Sequence, residues 1–169
     1  MRLLLIACSL LLLARPAGAQ TATRGSADSL SVMVTGEVRQ PLTLSLSDMS
    51  AMPRTTVSAR DKQGVPHAYS GVALSDIFQK AGVTTGAQLR GRNMTKYVLV
   101  SCADGYQVVF SLAELDSAFT DRIVILADQM EGKPLPSATG PFRIIVPGDK
   151  RPARDCFRVR TIAIHSAKD

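Results

Sequence analysis

The chain has 169 residues, of which 46% are hydrophobic, 20% charged and only 5% aromatic, and its formal net charge is +6. This length predicts a single domain, and 12 glycines with 9 prolines are too few for a collagenous or low-complexity chain. There is no Trp to build a stacking platform, and three cysteines are too few to staple a miniprotein.

Met1 and Arg2 precede an apolar run from Leu3 to Leu13, broken only around Cys8 and Ser9, and Ala17-Gly18-Ala19 gives the small-x-small pattern of a cleavage site. The run is shorter than the roughly 20 apolar residues that a membrane-spanning helix needs. Residues 1–19 therefore read as a signal peptide, cleaved near Ala19, and predict a periplasmic or secreted protein. Leu5-Ile6-Ala7-Cys8 has the form of a lipoprotein box, but a cut there would leave almost no apolar region before it. Cys8 leaves with the leader, so Cys102 and Cys156 remain as a possible disulfide in an oxidising compartment, provided their Cα atoms come within about 7 Å. No CxxC pair is present and His67 and His165 are far apart, which argues against a zinc site.

Residues 20–29 are small and polar without periodicity and predict a flexible tail; the domain is expected over residues 30–166. Leu30, Val32 and Val34 alternate with polar residues and Met33, predicting a strand over 30–35. Leu42 to Leu46 alternates again, and Ser47 offers an N-cap to a short helical turn ended by Pro53. Thr55 to Ala59 is β-prone, and 60–66 reads as a loop around Gly64 and Pro66. Leu74, Ile77, Phe78 and Ala81 mark one face of a helix over 73–81, stopped by Gly82. Two β-prone runs, 96–101 and 107–110, flank an Asp104-Gly105 turn. Ser111 and Glu114 have capping-box spacing. Strands are expected at 123–127, 143–146 and 159–165. Short strands broken by small helices, with no regular strand–helix alternation, predict an α+β fold with mixed sheets.

The charge is unevenly placed. Between Arg143 and Arg160 lie six bases (Arg143, Lys150, Arg151, Arg154, Arg158 and Arg160) against Asp149 and Asp155. A compact basic stretch points to a local anionic ligand, or to a solvated basic face, rather than to a broad nucleic-acid surface. Standard nucleophile-elbow, zincin, phosphate-loop and dinucleotide motifs are missing. Asp104, Glu114, Asp116, Asp121, Asp128 and Glu131 could supply a carboxylate pair, but their spacing suits surface turns and helix ends.

Five short motifs follow in order: Gly36-Glu37-Val38 with Pro41-Leu42-Thr43-Leu44; Tyr69-Ser70-Gly71-Val72-Ala73-Leu74-Ser75-Asp76-Ile77; Asp104-Gly105-Tyr106; Ile125-Leu126-Ala127 through Gly132-Lys133-Pro134-Leu135; and Gly140-Pro141-Phe142-Arg143-Ile144-Ile145-Val146-Pro147-Gly148 with Arg154 beyond. In these the chain resembles the molybdopterin-binding domain of the sulfite oxidase family, over roughly Leu30 to Ile164. The resemblance implies an α+β, sulfite-oxidase-type molybdopterin-binding fold whose basic pocket holds a pterin or molybdopterin. It places Asp104 and Tyr106 in the loop beside the ligand, and Arg143, Lys150, Arg151 and Arg154 among the anion-binding residues. The chemistry of those side chains agrees: guanidinium groups grip phosphate by paired hydrogen bonds. An Asp accepts from the amino-pyrimidine edge of a pterin, and Tyr69 or Tyr106 could stack on its ring. Equally, Asp104 could be a plain turn residue and the two tyrosines half-buried strand aromatics.

Catalytic members of the family ligate molybdenum through a cysteine placed after the strand that precedes the G-V-x-L motif. Here that window is Val57-Ser58-Ala59-Arg60-Asp61-Lys62 and has no cysteine; a hard oxygen donor does not replace a thiolate without changing the metal's electronics. The resulting expectation is an exported, stand-alone, non-catalytic domain that binds a small-molecule pterin and reports it to a partner such as a membrane sensor. The alternatives are a small molybdopterin-dependent oxidoreductase with atypical metal ligation, and a periplasmic interaction module with a relic pocket.

Overall fold

The computed structural model describes residues 30–167; the predicted signal peptide and the whole predicted tail, residues 20–29, lie outside the described residues. Ten strands form two five-stranded sheets. The first runs in the order β2 (Leu42–Ser45), β1 (Ser31–Gly36), β10 (Val159–Ser166), β5 (Lys96–Cys102), β6 (Gln107–Ser111). The β1–β10 pair is parallel and its other pairings are antiparallel. The second runs β3 (Thr55–Arg60), β4 (Pro66–Ala73), β7 (Ile125–Met130), β8 (Lys133–Pro134), with β9 (Arg143–Ile145) also paired to β7. Only two α-helices occur among the described residues, α1 (Leu46–Ser50) and α2 (Leu74–Ala81). The architecture is the mixed-sheet α+β fold expected.

Alternation sets the first sheet. Val32, Val34, Leu44, Val98, Val100, Val108, Phe110, Ile162 and Ile164 all turn to one buried face, where they meet Leu74, Ile77, Phe78 and Ala81 of α2. A register shift between Val159 and Thr161 puts Val159 on that same face, so strict alternation fails at the start of β10. The second sheet is covered on both sides at its centre. Val72, Leu126 and Ile144 enter the main core, while Tyr69, Ile125, Ala127 and Ile145 form a smaller cluster with Ala59 and Leu135. That explains the unbroken apolar runs in β7 and β9. Gly71 is required between β4 and β7, because a Cβ there would lie 2.1 Å from the Leu126 carbonyl oxygen.

Several expectations need correction. The N-cap of α1 is Ser45, not Ser47: the Asp48 N–H donates to Ser45 Oγ (3.2 Å), and the Ser45 N–H donates to the Asp48 carboxylate (2.9 Å). Asp48 stands three residues after Ser45 and closes a reciprocal capping box that Ser47 cannot make. Residues 66–73 form a full strand where only a loop boundary and a motif were read, since Pro66, Gly71 and the small residues hide its period. Ser111 and Glu114 do make both capping-box bonds, yet cap only a 3-10 turn, Ala113–Leu115. The strand expected at 123–127 begins at Ile125 and continues to Met130, where it pairs with β4 and β8, and Arg54 meets the buried Asp128 carboxylate within it (Nη1 to Oδ2, 2.8 Å). Asp128 and Asp116 are thus buried, not the surface-turn carboxylates their spacing suggested.

Candidate functional site

The loop between β9 and β10 and the loop between β3 and β4 face each other and enclose a cleft of about 480 Å³. Its walls carry Ser58, Arg60, Asp61 and Lys62 on one side and Asp149, Lys150, Arg151 and Asp155 on the other. A second cavity of about 290 Å³ adjoins it, sharing Lys62, Pro152 and Asp155 and reaching Asp104, Tyr106, Cys156 and Phe157. Four of the site residues read from the sequence therefore converge: Lys150 and Arg151 in the larger space, Asp104 and Tyr106 in the smaller.

Lys150 and Arg151 are exposed, and with Lys62 they form no ion pair among the described residues. Lys62 carries no distinguishing motif and escaped the sequence reading; it arrives because the β3–β4 turn folds over the cleft. Asp61 shapes that turn by accepting from the backbone N–H groups of Gln63 (2.9 Å) and Val65 (2.8 Å) and from His67 Nε2 (3.1 Å). Asp104 caps its own turn, accepting from the Tyr106 N–H at 3.0 Å. Tyr106 is 49% exposed, and its hydroxyl donates to the Ala153 carbonyl (2.8 Å), laying the ring along the cavity wall.

The other predicted residues sit elsewhere. Tyr69 is only 1% exposed, and the guanidinium of Arg143 lies 4.9 Å from its ring centre, so neither ring face is open for stacking. Arg143 is itself buried, sandwiched between Tyr69 and the ring of Phe157 (4.5 Å), donating to Tyr69 Oη (3.0 Å) and paired to Asp155 Oδ2 (3.5 Å). Its Nε has no hydrogen-bond partner. Arg154 is clamped between two carboxylates: Nε and Nη2 reach Asp149 (2.8 and 2.9 Å), and Nη1 reaches Glu114 (2.9 Å). Those bonds keep the guanidinium charged and hold the Asp149 carboxyl below its usual range. Neither arginine lines either cavity; Arg143 pairs with Asp155 and Arg154 with Asp149, which do.

Asp155 was not singled out in the sequence, where it is one acid inside a basic run. It lines both cavities while its side chain is 2% exposed, and it accepts from the Val146 N–H at 2.8 Å. Burial pushes its carboxyl up to about 6, outweighing the attraction of Arg143 and the backbone bond. The cleft thus pairs a fringe of unpartnered cations with one buried carboxylate that titrates near neutrality.

This geometry meets an independent comparison. The family described as "Oxidoreductase molybdopterin binding domain" matches residues 19–150. The chain belongs to that family. Among solved structures, the sulfane dehydrogenase SoxCD from Paracoccus pantotrophus aligns with a TM-score of 0.65 at 22% sequence identity, over 82% of this chain and 38% of that one. That likeness shows the shared fold, and the present chain spans well under half the length of that protein. No curated protein sequence matches the chain.

Membership in the family implies a molybdopterin, and the residues present fit its organic part. Lys62, Lys150 and Arg151 suit a phosphate. Asp104, Asp155 and the Tyr106 ring suit the hydrogen-bonding edge and face of a pterin. The fit for the metal is poorer. Ser58 lines the larger cleft, no thiol does, and no cluster of three metal-ligating side chains occurs among the described residues. Cys102 and Cys156 are the described thiols; both are free and buried.

Proposed function

We propose that this chain is an exported pterin-binding domain that holds a molybdopterin-like ligand without using it for metal-centred catalysis. The observation that carries the reading is the make-up of the larger cleft: Lys62, Lys150 and Arg151 without an ion pair, the buried carboxylate of Asp155 beside them, and no cysteine among the lining residues. A phosphate binds Lys62, Lys150 and Arg151, while the nitrogen edge of the ring donates to Asp155 or Asp104. When bound with its metal, such a cofactor supplies oxygen-atom and electron transfer; here the protein's residues bind and orient the organic part. Export is supported by the basic start, apolar run and cleavage pattern of residues 1–19. Among the described residues, no helix is long and apolar enough to cross a membrane.

Calorimetric titration of the purified chain with a reduced pterin and with its phosphate ester tests the reading. Saturable binding of both, tighter for the ester, is the expected result. Heat indistinguishable from dilution for both ligands would remove it.

A further inference from the structure

Cys102 ends β5, and Cys156 lies in the loop that leads into β10. The strand register opposes Cys102 to Val159, three residues beyond Cys156. The Ala103 N–H donates to the Arg158 carbonyl (3.0 Å), which joins the end of β5 to the segment after Cys156, and the Ile144 N–H donates to the Cys156 carbonyl (3.0 Å), which holds Cys156 against β9. Both cysteines are buried, 7% and 2% exposed, in the same core cluster, close enough that each thiol shifts the other's titration. The neighbouring Cys156 thiol lowers the Cys102 thiol below its ordinary range, while the same neighbour and burial push the Cys156 thiol up. One sulfur is thus prepared to attack, with the second beside it to resolve the product.

We infer that Cys102 and Cys156 form a dithiol–disulfide couple whose closure ties the loop carrying Lys150 and Arg151 to the end of β5. With oxidised glutathione as the oxidant, the Cys102 thiolate attacks one glutathione sulfur, the glutathione S–S bond breaks, and one glutathione leaves as its thiolate. Cys156 then gives up its proton to that thiolate, and its sulfur attacks Cys102 in the mixed disulfide, expelling the second glutathione as a thiolate that takes from water the proton Cys102 released on ionising. Two protein thiols lose two electrons in all, and one glutathione disulfide becomes two thiols. The loop so tied holds much of the cation fringe and Asp155, and the Tyr106 hydroxyl already pins it through Ala153. This couple does not depend on the identity of the cleft's ligand, and its test needs no pterin.

The full chain, folded and free of reductant, is incubated with excess oxidised glutathione, quenched in acid, alkylated and mapped by mass spectrometry of its peptides. The expected product links the Cys102 and Cys156 peptides. Tryptic nicking after Lys150 and Arg154 should then slow by about tenfold relative to the same sample treated with dithiothreitol. Thiols that stay unmodified until the chain is denatured would overturn the couple, as would glutathione adducts without a cross-link. A cross-link that leaves the nicking rate unchanged would overturn the tie to the loop.

Discussion

Arg143 and Arg151 belong to one basic run in the sequence, and the fold gives them opposite work. Arg143 sits on β9, which is buried on both faces, so its charge must be met inside the protein by Asp155, Tyr69 and two aromatic rings. Arg151 sits at the exposed tip of the following loop and meets only the cleft. A count of charges treats the two alike. Burial separates them, because an interior charge is tolerated only when paired and hydrogen-bonded, while an exposed one stays free for a ligand.

The sharpest way to break this contrast is Arg143→Ala. Removing one partner leaves Asp155 buried without its counter-charge, so denaturant unfolding should show a loss of about 3–5 kcal/mol. A loss below about 1 kcal/mol would mean that Arg143 is no more structural than Arg151.

The second effect is a pH dependence carried by Asp155. Its folded carboxyl titrates at about 6, above the unfolded value near 4, so the folded chain binds this proton more tightly than the unfolded chain does. Its contribution to stability is therefore greatest below pH about 4, declines as pH rises to about 6, and is constant beyond. The full swing is about 3 kcal/mol. Asp149 and Asp61, whose carboxyls are held low, act with the opposite sign. The comparison must therefore be the difference between the wild type and Asp155→Asn across pH 4 to 7. A flat difference would contradict a buried, proton-binding Asp155.

The smallest effect on stability belongs to the rim. Lys150→Ala and Arg151→Ala should each change unfolding free energy by less than about 0.5 kcal/mol. Each should nevertheless weaken the phosphorylated pterin by about tenfold, or about 1.4 kcal/mol, and leave the unphosphorylated ligand nearly unaffected. Equal losses for both ligands would show that these cations do not read the phosphate.

Much of the fold could be read from local pattern. The strands of the first sheet and helix α2 follow from alternation and helical spacing, because each has one buried and one wetter face. Strand β4 escaped because its close approach to β7 demands Gly71, and small residues carry no period. The site was readable in part. The Asp104-Gly105-Tyr106 turn and the exposed Lys150 and Arg151 depend on short motifs and composition. Tyr69, Arg143, Lys62 and Asp155 depend on contacts between segments distant in sequence, which no spacing rule encodes. Asp155 was masked by its basic neighbours, although its burial among them is what raises its carboxyl.

The most direct test of the central claim uses protein purified from its native host with no ligand added. The sample is denatured, the fluorescence of any released pterin is recorded, and molybdenum is measured on the same material by mass spectrometry. A pterin released with little or no molybdenum is the predicted result. One molybdenum for each released pterin would contradict a non-catalytic binding domain.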